Sequence, residues 1–327
     1  MRAVVLRQHG GPEVLGIEDA PVPPCGSQEI VVRVSATAVN RADVLHRMGL
    51  YPDPFPGALD LPGMEYSGVV EVCGDLVRTW RVGDEVMGIV SGGSYAERLV
   101  VHERQAMRIP STVSLADAAA IPEVFLTAWD ALVVQGGLTS GRWALVHAAA
   151  SGVGTAAVQI ARAIGAHVVA TCSAGKVEAV RALGADAVVD YANEDFVQVV
   201  ASATGGRGVD VVLDVIGGGY LDRNVASLAL KGHIVQVGVM GGGKVEFNLA
   251  ALMPKRASLT GTVLRARPLE EKIALAQRFS AEVIPLFESG RLSPVIDSRY
   301  PLEQIAEAHR HMEANANVGK IVIDVAN

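Results

Sequence analysis

The chain has 327 residues, and its 28 Lys and Arg stand against 35 Asp and Glu, so its formal net charge is −7. This acidic balance argues against a nucleic-acid or anionic-membrane partner, because both bind basic faces. Half of the residues are hydrophobic, which excludes a disordered chain and predicts two domains with substantial cores.

The three cysteines Cys25, Cys73 and Cys172 are far apart and form no Cys-x-x-Cys pair. This spacing excludes a disulfide framework and a four-cysteine zinc site. Reduced cysteines are typical of the cytosol, and the N-terminal apolar run is too short for a signal peptide. We therefore expect a cytoplasmic protein.

The first third of the chain is predicted to be rich in β-strands. Short β-branched runs there alternate with Gly and Pro clusters. The runs are Met1–Leu6, Glu29–Val39, Tyr66–Cys73 and Asp84–Val90. This pattern indicates a small, partly open β-barrel. The segment Tyr51–Gly63 carries four prolines, which fix φ and remove donors. We expect a stiff loop that holds Tyr51 in one place.

From about Ile121 the chain alternates apolar runs with helical stretches. The predicted strands are Trp143–Ala148, His167–Cys172, Ala187–Tyr191, Asp210–Gly218, His233–Val239 and Ser258–Leu264. Continuously apolar strands in this rhythm predict a parallel sheet covered on both faces. A long helix over 269–288, a second helix and a final strand, Gly319–Val325, follow.

A glycine-rich turn, AASGVG (Ala149–Gly154), lies between a predicted strand and a predicted helix. It occupies the place of a GxGxxG dinucleotide turn, which brings backbone N–H groups close to a pyrophosphate. The alternative is a tight turn without a ligand, which the surrounding strand–helix alternation disfavours. The predicted contacts are Ser151, Gly152, Val153 and Gly154.

The second strand of this pattern lacks the acidic residue that binds the ribose 2′-OH of NAD. No Asp or Glu occurs between Asp130 and Glu178, and the strand end instead offers Thr171, Ser173 and Lys176. Hydroxyls and an ammonium bind a 2′-phosphate. We therefore predict NADPH as the cofactor, with Tyr191 at the end of the next strand in the same pocket. The alternatives are a solvated Lys176 and ordinary packing of Tyr191.

Two further loops are predicted to reach the cofactor, because ligands of such sheets lie beyond the carboxyl ends of the strands. The first is Ile216 and Gly217 at the end of one strand. The second is Gly238, Val239 and Met240 after the next strand. The alternative for the second loop is a plain glycine-rich turn.

Several stretches resemble one known family along nearly the whole chain. They include NRADVLHRMGLYP, AAAIPEVFLTAWDAL, AASGVGTAAVQIARAIGA, LDVIGGGYLDRNVASLAL and HRHMEANANVGKIV. The sequence resembles the zinc-independent quinone oxidoreductases of the medium-chain dehydrogenase/reductase superfamily, and the tumour-suppressor-inducible branch in particular. The resemblance implies an α/β fold with an N-terminal GroES-like, partly open β-barrel domain, residues 1–122 and 265–327. It also implies a Rossmann domain with a doubly wound parallel sheet, residues 123–264, that binds NADPH.

The resemblance also predicts that no metal takes part. Asn40 and Met64 stand where the zinc enzymes of the superfamily carry Cys and His. An amide and a thioether do not make a zinc site. Without a Lewis acid to stabilise an alkoxide, alcohol oxidation is disfavoured. We expect hydride transfer to a conjugated acceptor.

The resemblance gives roles to six more residues. Asn40 and Tyr51 line the acceptor pocket as neutral hydrogen-bond donors. Thr127 contacts the nicotinamide side, and Leu264, Arg265 and Asn317 lie near the cofactor. The alternatives are a helix cap for Asn40, a packing role for Tyr51, a back-bonded hydroxyl for Thr127 and a solvated charge for Arg265.

The sequence thus predicts an NADPH:quinone reductase that acts on a small molecule by direct hydride transfer. One alternative is a 2-enoyl reductase for enones or enoyl thioesters. Another is a non-catalytic, crystallin-like NADPH-binding protein. The edge character of Ser258–Leu264, together with the resemblance, predicts a homodimer, with a tetramer as the alternative.

Overall fold

The computed structural model describes residues 1–55 and 57–325. The chain divides into two compact units, Met1–Leu126 with Leu264–Asn327, and Thr127–Val263. Three residues of the predicted ranges lie outside the described residues: residue 56 of the proline-rich loop, and residues 326 and 327.

The N-terminal part of the first unit is built mainly of strands. These are β1 (Arg2–Leu6), β2 (Leu15–Asp19), β3 (Glu29–Val39), β4 (Glu65–Cys73), β5 (Glu85–Ile89), β6 (Arg98–His102) and β7 (Met107–Arg108). The short helix α1 (Arg41–Arg47) follows β3, and α2 (Pro122–Trp129) ends this part. The four strands predicted for this region are present within one residue at each end. β2, β6 and β7 were not predicted, because they are short or interrupted by charges.

Among the described residues, the second unit contains six strands and five α-helices that start within it, besides a π-helix over Asp130–Gln135 and short 3₁₀ turns. The strands and α-helices are β8 (Trp143–Val146), α3 (Gly152–Ala163), β9 (His167–Cys172), α4 (Val177–Ala182), β10 (Ala187–Asp190), α5 (Phe196–Ala203), β11 (Val209–Asp214), α6 (Leu221–Ser227), β12 (Leu228–Gln236), α7 (Leu252–Lys255) and β13 (Ser258–Gly261). The strands form one sheet in the order β10-β9-β8-β11-β12-β13, and all of its pairs are parallel. The predicted parallel sheet is therefore confirmed.

The chain then returns to the first unit. It forms α8 (Leu269–Glu282), α9 (Ile284–Glu288), β14 (Ile296–Pro301), α10 (Ile305–Glu313) and β15 (Lys320–Asp324). β15 pairs antiparallel with β3, which completes a seven-stranded sheet with β6 attached to β3. The C-terminal strand β15 therefore lies directly beside the end of β3. The predicted site residue Asn40 is the next residue after β3.

Two predicted helices differ from the observed ones. The helix expected over 269–288 is two helices that meet at Val283, because Pro285 has no N–H to continue the hydrogen-bond ladder. The sequence after the predicted strand Asp210–Gly218 favours a helix over Tyr220–Leu230, but its last three residues, Leu228–Leu230, are the start of β12. Their apolar side chains extend the sheet, and Lys231 turns the strand with a φ of 63°.

Each unit has its own buried core. The sheet of the second unit is buried along β9 and β11, as expected of parallel strands covered on both faces. In the first unit the inward residues of β3, β4 and β15 pack with α10. Within residues 1–55 and 57–325, no helix has both the length and the apolar character needed to cross a bilayer.

Candidate functional site

The glycine-rich turn of the second unit leads from β8 into α3. Ser151 is the N-cap of α3, and its Oγ accepts a hydrogen bond from the Gly154 N–H at 3.0 Å. A Cβ at Gly154 would lie 2.3 Å from the carbonyl oxygen of Ala148, so only glycine fits there. Gly152 and Val153 form the first turn of α3. This close turn at a helix N-terminus fits the pyrophosphate of a dinucleotide.

The ends of β9 and β10 bring together three of the residues predicted to bind a 2′-phosphate. Asp190 pairs with Cys172 across these strands, and the Tyr191 N–H donates to the Cys172 carbonyl at 3.2 Å. Ser173 follows directly on β9 and is half-buried, while Tyr191 is half-exposed. Lys176 ends the single 3₁₀ turn that starts after Ser173.

Thr171, the fourth residue predicted for this cluster, lies elsewhere. Its side chain is buried, with 1% of its surface exposed, and its Oγ1 lies 3.0 Å from His147 Nδ1. The hydroxyl points into the interior because side chains alternate along a strand. In this structure the Thr171 hydroxyl is therefore engaged by His147, and its contact with the phosphate stays a prediction.

His147, Asn224 and Asp214 form a buried polar network that sequence analysis missed. Asn224 Nδ2 donates to Asp214 Oδ2 at 2.9 Å, so the Asn224 oxygen is left to face His147 Nε2 at 2.7 Å. That oxygen requires a proton on Nε2, and Nδ1 then accepts from Thr171. Burial lowers the pKa of His147, so the ring is neutral. The available signal was a polar residue at the end of each apolar strand.

This network positions one of the predicted cofactor loops. Asp214 Oδ1 accepts hydrogen bonds from the N–H groups of Ile216 at 2.6 Å and Gly217 at 3.0 Å. The second predicted loop joins the first, because the Gly241 N–H donates to the Ile216 carbonyl at 2.7 Å. Gly238 is half-buried, while Val239 and Met240 are each 52% exposed. The two loops thus form one continuous surface at the carboxyl ends of β11 and β12.

In the first unit, Asn40 is the N-cap of α1 and forms a capping box with Asp43. Its side chain is 5% exposed. Nδ2 donates to Glu65 Oε1 at 2.9 Å, and Oδ1 accepts from Lys320 Nζ at 2.6 Å. The helix-cap alternative therefore describes the observed geometry. The amide is engaged by protein groups rather than presented as an open donor.

Tyr51 lies half-buried in the proline-rich loop, beside Arg265. Arg265 Nη1 donates to the Tyr51 carbonyl at 3.0 Å, and Nε donates to the Ser91 carbonyl. Burial raises the pKa of the Tyr51 hydroxyl above its ordinary value of 10, so it carries its proton at neutral pH. Arg265 is itself 5% exposed. The solvated-charge alternative is therefore wrong, because this guanidinium is buried and holds the Tyr51 loop. The contact of Arg265 with the cofactor stays a prediction.

The remaining predicted residues occupy defined places, and their roles stay predictions. Thr127 is buried in α2. Leu264 is half-buried directly before Arg265. Asn317 is buried, and its Nδ2 donates to the Gly319 carbonyl at 2.8 Å, just before β15.

Comparison with known proteins defines the class. Residues 26–111 match the family described as the alcohol dehydrogenase GroES-like domain, and residues 183–323 match the family described as zinc-binding dehydrogenase. In residues 1–55 and 57–325, no three His, Cys, Asp or Glu side chains are grouped so as to hold a metal ion. The two folds together define a medium-chain dehydrogenase/reductase, as predicted.

Three similar proteins indicate which family of this superfamily the chain resembles. Quinone oxidoreductase of Homo sapiens is 32% identical over 99% of this chain and 97% of its own length. The structure of Escherichia coli quinone oxidoreductase complexed with NADPH has a TM-score of 0.88 and 30% identity over 99% of this chain and all of that one. The apo structure of JamJ enoyl reductase has a TM-score of 0.88 and 26% identity over 99% of each chain.

The chain belongs to the zinc-independent quinone oxidoreductase-like family of this superfamily. It is an oxidoreductase with a GroES-like domain and a Rossmann-type parallel sheet. The predicted family and fold class are thus confirmed. The narrower placement in the tumour-suppressor-inducible branch stays a prediction.

Proposed function

We propose that this protein is an NADPH-dependent quinone oxidoreductase that works without a metal ion. The observation that carries the proposal is the chemistry at the paired ends of β9 and β10. Ser173, Lys176 and Tyr191 are grouped there without an exposed carboxylate at the end of β9. Asp190, a carboxylate at the end of β10, accepts hydrogen bonds from Ala192 and Asn193 of its own turn. A phosphate dianion is therefore favoured over a bare ribose.

The residues around the crevice fit a dinucleotide. Gly154 allows the turn after β8 to approach a pyrophosphate, and the first turn of α3 offers N–H groups to it. When bound, NADPH supplies the hydride. The loops at Ile216–Gly217 and Gly238–Met240 are joined by hydrogen bonds, and we assign them to the nicotinamide ribose and amide.

Tyr51 is assigned as the hydrogen-bond donor to the acceptor oxygen. Its raised pKa keeps the hydroxyl protonated over the neutral range, so it donates to an oxygen that gains charge during reduction. Asn40 is assigned a supporting role, because its amide is engaged by Glu65 and Lys320. The remaining predicted contacts, Thr127, Leu264 and Asn317, are assigned to the cofactor.

A 2-enoyl reductase is the second candidate, and the similarity to JamJ enoyl reductase favours it. Enones and quinones are both conjugated carbonyls, so a protonated tyrosine serves either reaction. A non-catalytic NADPH-binding protein is the remaining candidate. We place the protein in the cytoplasm, since Cys25, Cys73 and Cys172 are all free thiols.

A substrate screen tests the proposal. Initial rates are measured with NADPH and NADH against ortho- and para-quinones, enones and crotonyl thioesters. We expect reduction of quinones with a clear preference for NADPH. Faster turnover of the enones or thioesters favours the enoyl reductase. NADPH binding without turnover of any acceptor favours the non-catalytic protein, and equal use of NADH contradicts the phosphate site.

A further inference from the structure

The ammonium group of Lys320 lies in the interior of the first unit, with 2% of the residue exposed. Its Nζ donates to three acceptors, namely the Val39 carbonyl at 3.1 Å, Asn40 Oδ1 at 2.6 Å and Glu65 Oε1 at 2.7 Å. An ammonium has three hydrogens to donate. All three are therefore used by the protein, and the charge is held in one position.

Glu65 is the anionic partner of this ammonium and has no exposed surface. Its Oε1 also accepts from Asn40 Nδ2 at 2.9 Å, and its Oε2 accepts from the Glu123 N–H at 2.9 Å. Asn40, Glu65 and Lys320, which we call the lysine hub, thus join the ends of β3, β4 and β15. Through Asn40 the hub also caps α1, and through Glu65 it meets the start of α2.

The charges of the hub depend on each other. A buried charge is costly unless a partner and hydrogen bonds compensate it. Removing one member of a buried ion pair leaves the other uncompensated, whereas removing both is often close to neutral. Replacing only Lys320 or only Glu65 should therefore destabilise the protein strongly, whereas replacing both should destabilise it much less.

The hub is connected to the acceptor residue Tyr51 through α1. Helix α1 starts after Asn40 and ends at Arg47, and the Leu50 N–H continues it by donating to the Leu45 carbonyl at 2.8 Å. Tyr51 is the next residue. Asn40 is the N-cap of α1, and its backbone N–H donates to Asp43 Oδ2 in the first turn at 2.8 Å. The position in which Lys320 and Glu65 hold Asn40 therefore sets where α1 begins, and with it where Tyr51 lies.

We propose that Lys320 is a positioning residue of the acceptor site: its buried ammonium neutralises Glu65 and fixes the Asn40 amide that starts the helix leading to Tyr51. The acceptor part of this inference rests on the proposed function. Lys320 touches no reacting atom, because its three donors are used by Val39, Asn40 and Glu65.

The test compares Lys320→Met, Glu65→Gln and the double variant with wild type. Lys231→Met is the matched control, since Lys231 is exposed. The measurements are the thermal unfolding midpoint, the NADPH dissociation constant and the KM for 1,4-benzoquinone. We expect Lys320→Met to lower the midpoint by about 5 °C or more. The double variant should recover most of this loss, because no lone charge stays buried.

The KM separates a positioning role from a structural one. Asn40 lacks its cationic partner in both the single and the double variant, so we expect the quinone KM to rise by about tenfold in both. The NADPH dissociation constant should stay within about twofold. If Lys320→Met does not fold, the double variant supplies both measurements.

Two results would overturn the inference. A double variant as unstable as Lys320→Met means that Glu65 and Lys320 do not compensate each other. A quinone KM that returns to the wild-type value together with the midpoint means that Lys320 is only structural. A wild-type protein that reduces no acceptor refutes the proposed function instead, and the midpoints then still decide the charge pairing.

Discussion

Arg265 and Tyr51 are joined twice in the first unit. Arg265 Nη1 donates to the Tyr51 carbonyl at 3.0 Å, and the guanidinium carbon lies 5.3 Å from the centre of the Tyr51 ring. A planar guanidinium makes both contacts at once, which an ammonium does not. The buried Arg265 therefore fixes both the backbone and the ring of the residue proposed to contact the acceptor.

Substitution of Arg265 is expected to affect the acceptor more than the cofactor. Arg265→Lys keeps the positive charge but loses the planar guanidinium that makes both contacts with Tyr51. We therefore expect the quinone KM to rise by about tenfold and the NADPH dissociation constant to change by less than about twofold. Steady-state kinetics and a binding titration measure both. Arg278→Lys is the control, because Arg278 pairs with Glu282 at an exposed site of α8. A rise in the NADPH dissociation constant without a rise in the quinone KM would mean that Arg265 contacts the cofactor instead.

Lys176 is expected to decide between the two nicotinamide cofactors. Loss of a charge-assisted hydrogen bond to phosphate costs about 1.5–3 kcal/mol, so Lys176→Ala should raise the KM for NADPH by roughly 10- to 100-fold. The KM for NADH should barely change. Arg181→Ala removes a positive charge from the exposed face of α4 and serves as the control. Equal losses with both cofactors would place the phosphate site elsewhere.

The network under the crevice is expected to stabilise the second unit. Asn224→Ala leaves His147 Nε2 and Asp214 Oδ2 without the partner they share. We expect the free energy of unfolding to fall by about 2–3 kcal/mol. NADPH affinity should fall as well, since Asp214 holds the turn at Ile216 and Gly217. Urea unfolding and a cofactor titration measure the two effects. Unchanged stability would mean that water replaces the amide.

A buried histidine predicts acid sensitivity of the first unit. Burial lowers the pKa of His309 from its ordinary value of 6.5 to about 3. Between these values the unfolded chain binds the proton and the folded chain does not. His309 therefore does not lower the free energy of unfolding above about pH 6.5. Below that pH its burial lowers the free energy of unfolding by about 1.4 kcal/mol per pH unit.

Urea titrations of wild type and His309→Gln between pH 4 and 7.5 measure this contribution. We expect the wild type to lose stability relative to the variant as the pH falls below about 6.5. His9→Gln is the control, because His9 is exposed. Asp43 works in the opposite direction, since burial raises its pKa from 3.8 to about 6, and it is present in both proteins. If the difference in free energy of unfolding between wild type and His309→Gln does not change with pH, the assignment to His309 is wrong.

The edge of the parallel sheet carries the proposed homodimer contact. β13 ends the sheet, and Leu259 and Val263 are 45% and 50% exposed. An apolar edge strand favours pairing with a second copy. We expect Leu259→Glu to convert a dimer into a monomer, as measured by light scattering on a sizing column. Val82→Glu, at another exposed apolar position, should leave the mass unchanged. A wild-type protein that elutes as a monomer contradicts the assembly.

The sequence by itself determined the features that depend on neighbours along the chain. β3 and β9 have the predicted bounds, because β-branched runs bounded by turn residues specify strands locally. The sequence also identified the glycine at position 154 and the absence of an acidic residue after β9. Each depends only on which residue type stands at a fixed position of a βα unit. The family followed from the same local motifs.

Only the tertiary structure decided which polar groups meet. Lys320 and Glu65 are 255 positions apart in the sequence and yet 2.7 Å apart in the fold, and Arg265 reaches Tyr51 across a similar gap. Their sequence signal was faint: a charged residue at the start of an apolar strand. Thr171 had the right residue type and position along the chain, but strand alternation turned its hydroxyl towards His147. Such pairings depend on burial and strand register, which no local pattern encodes.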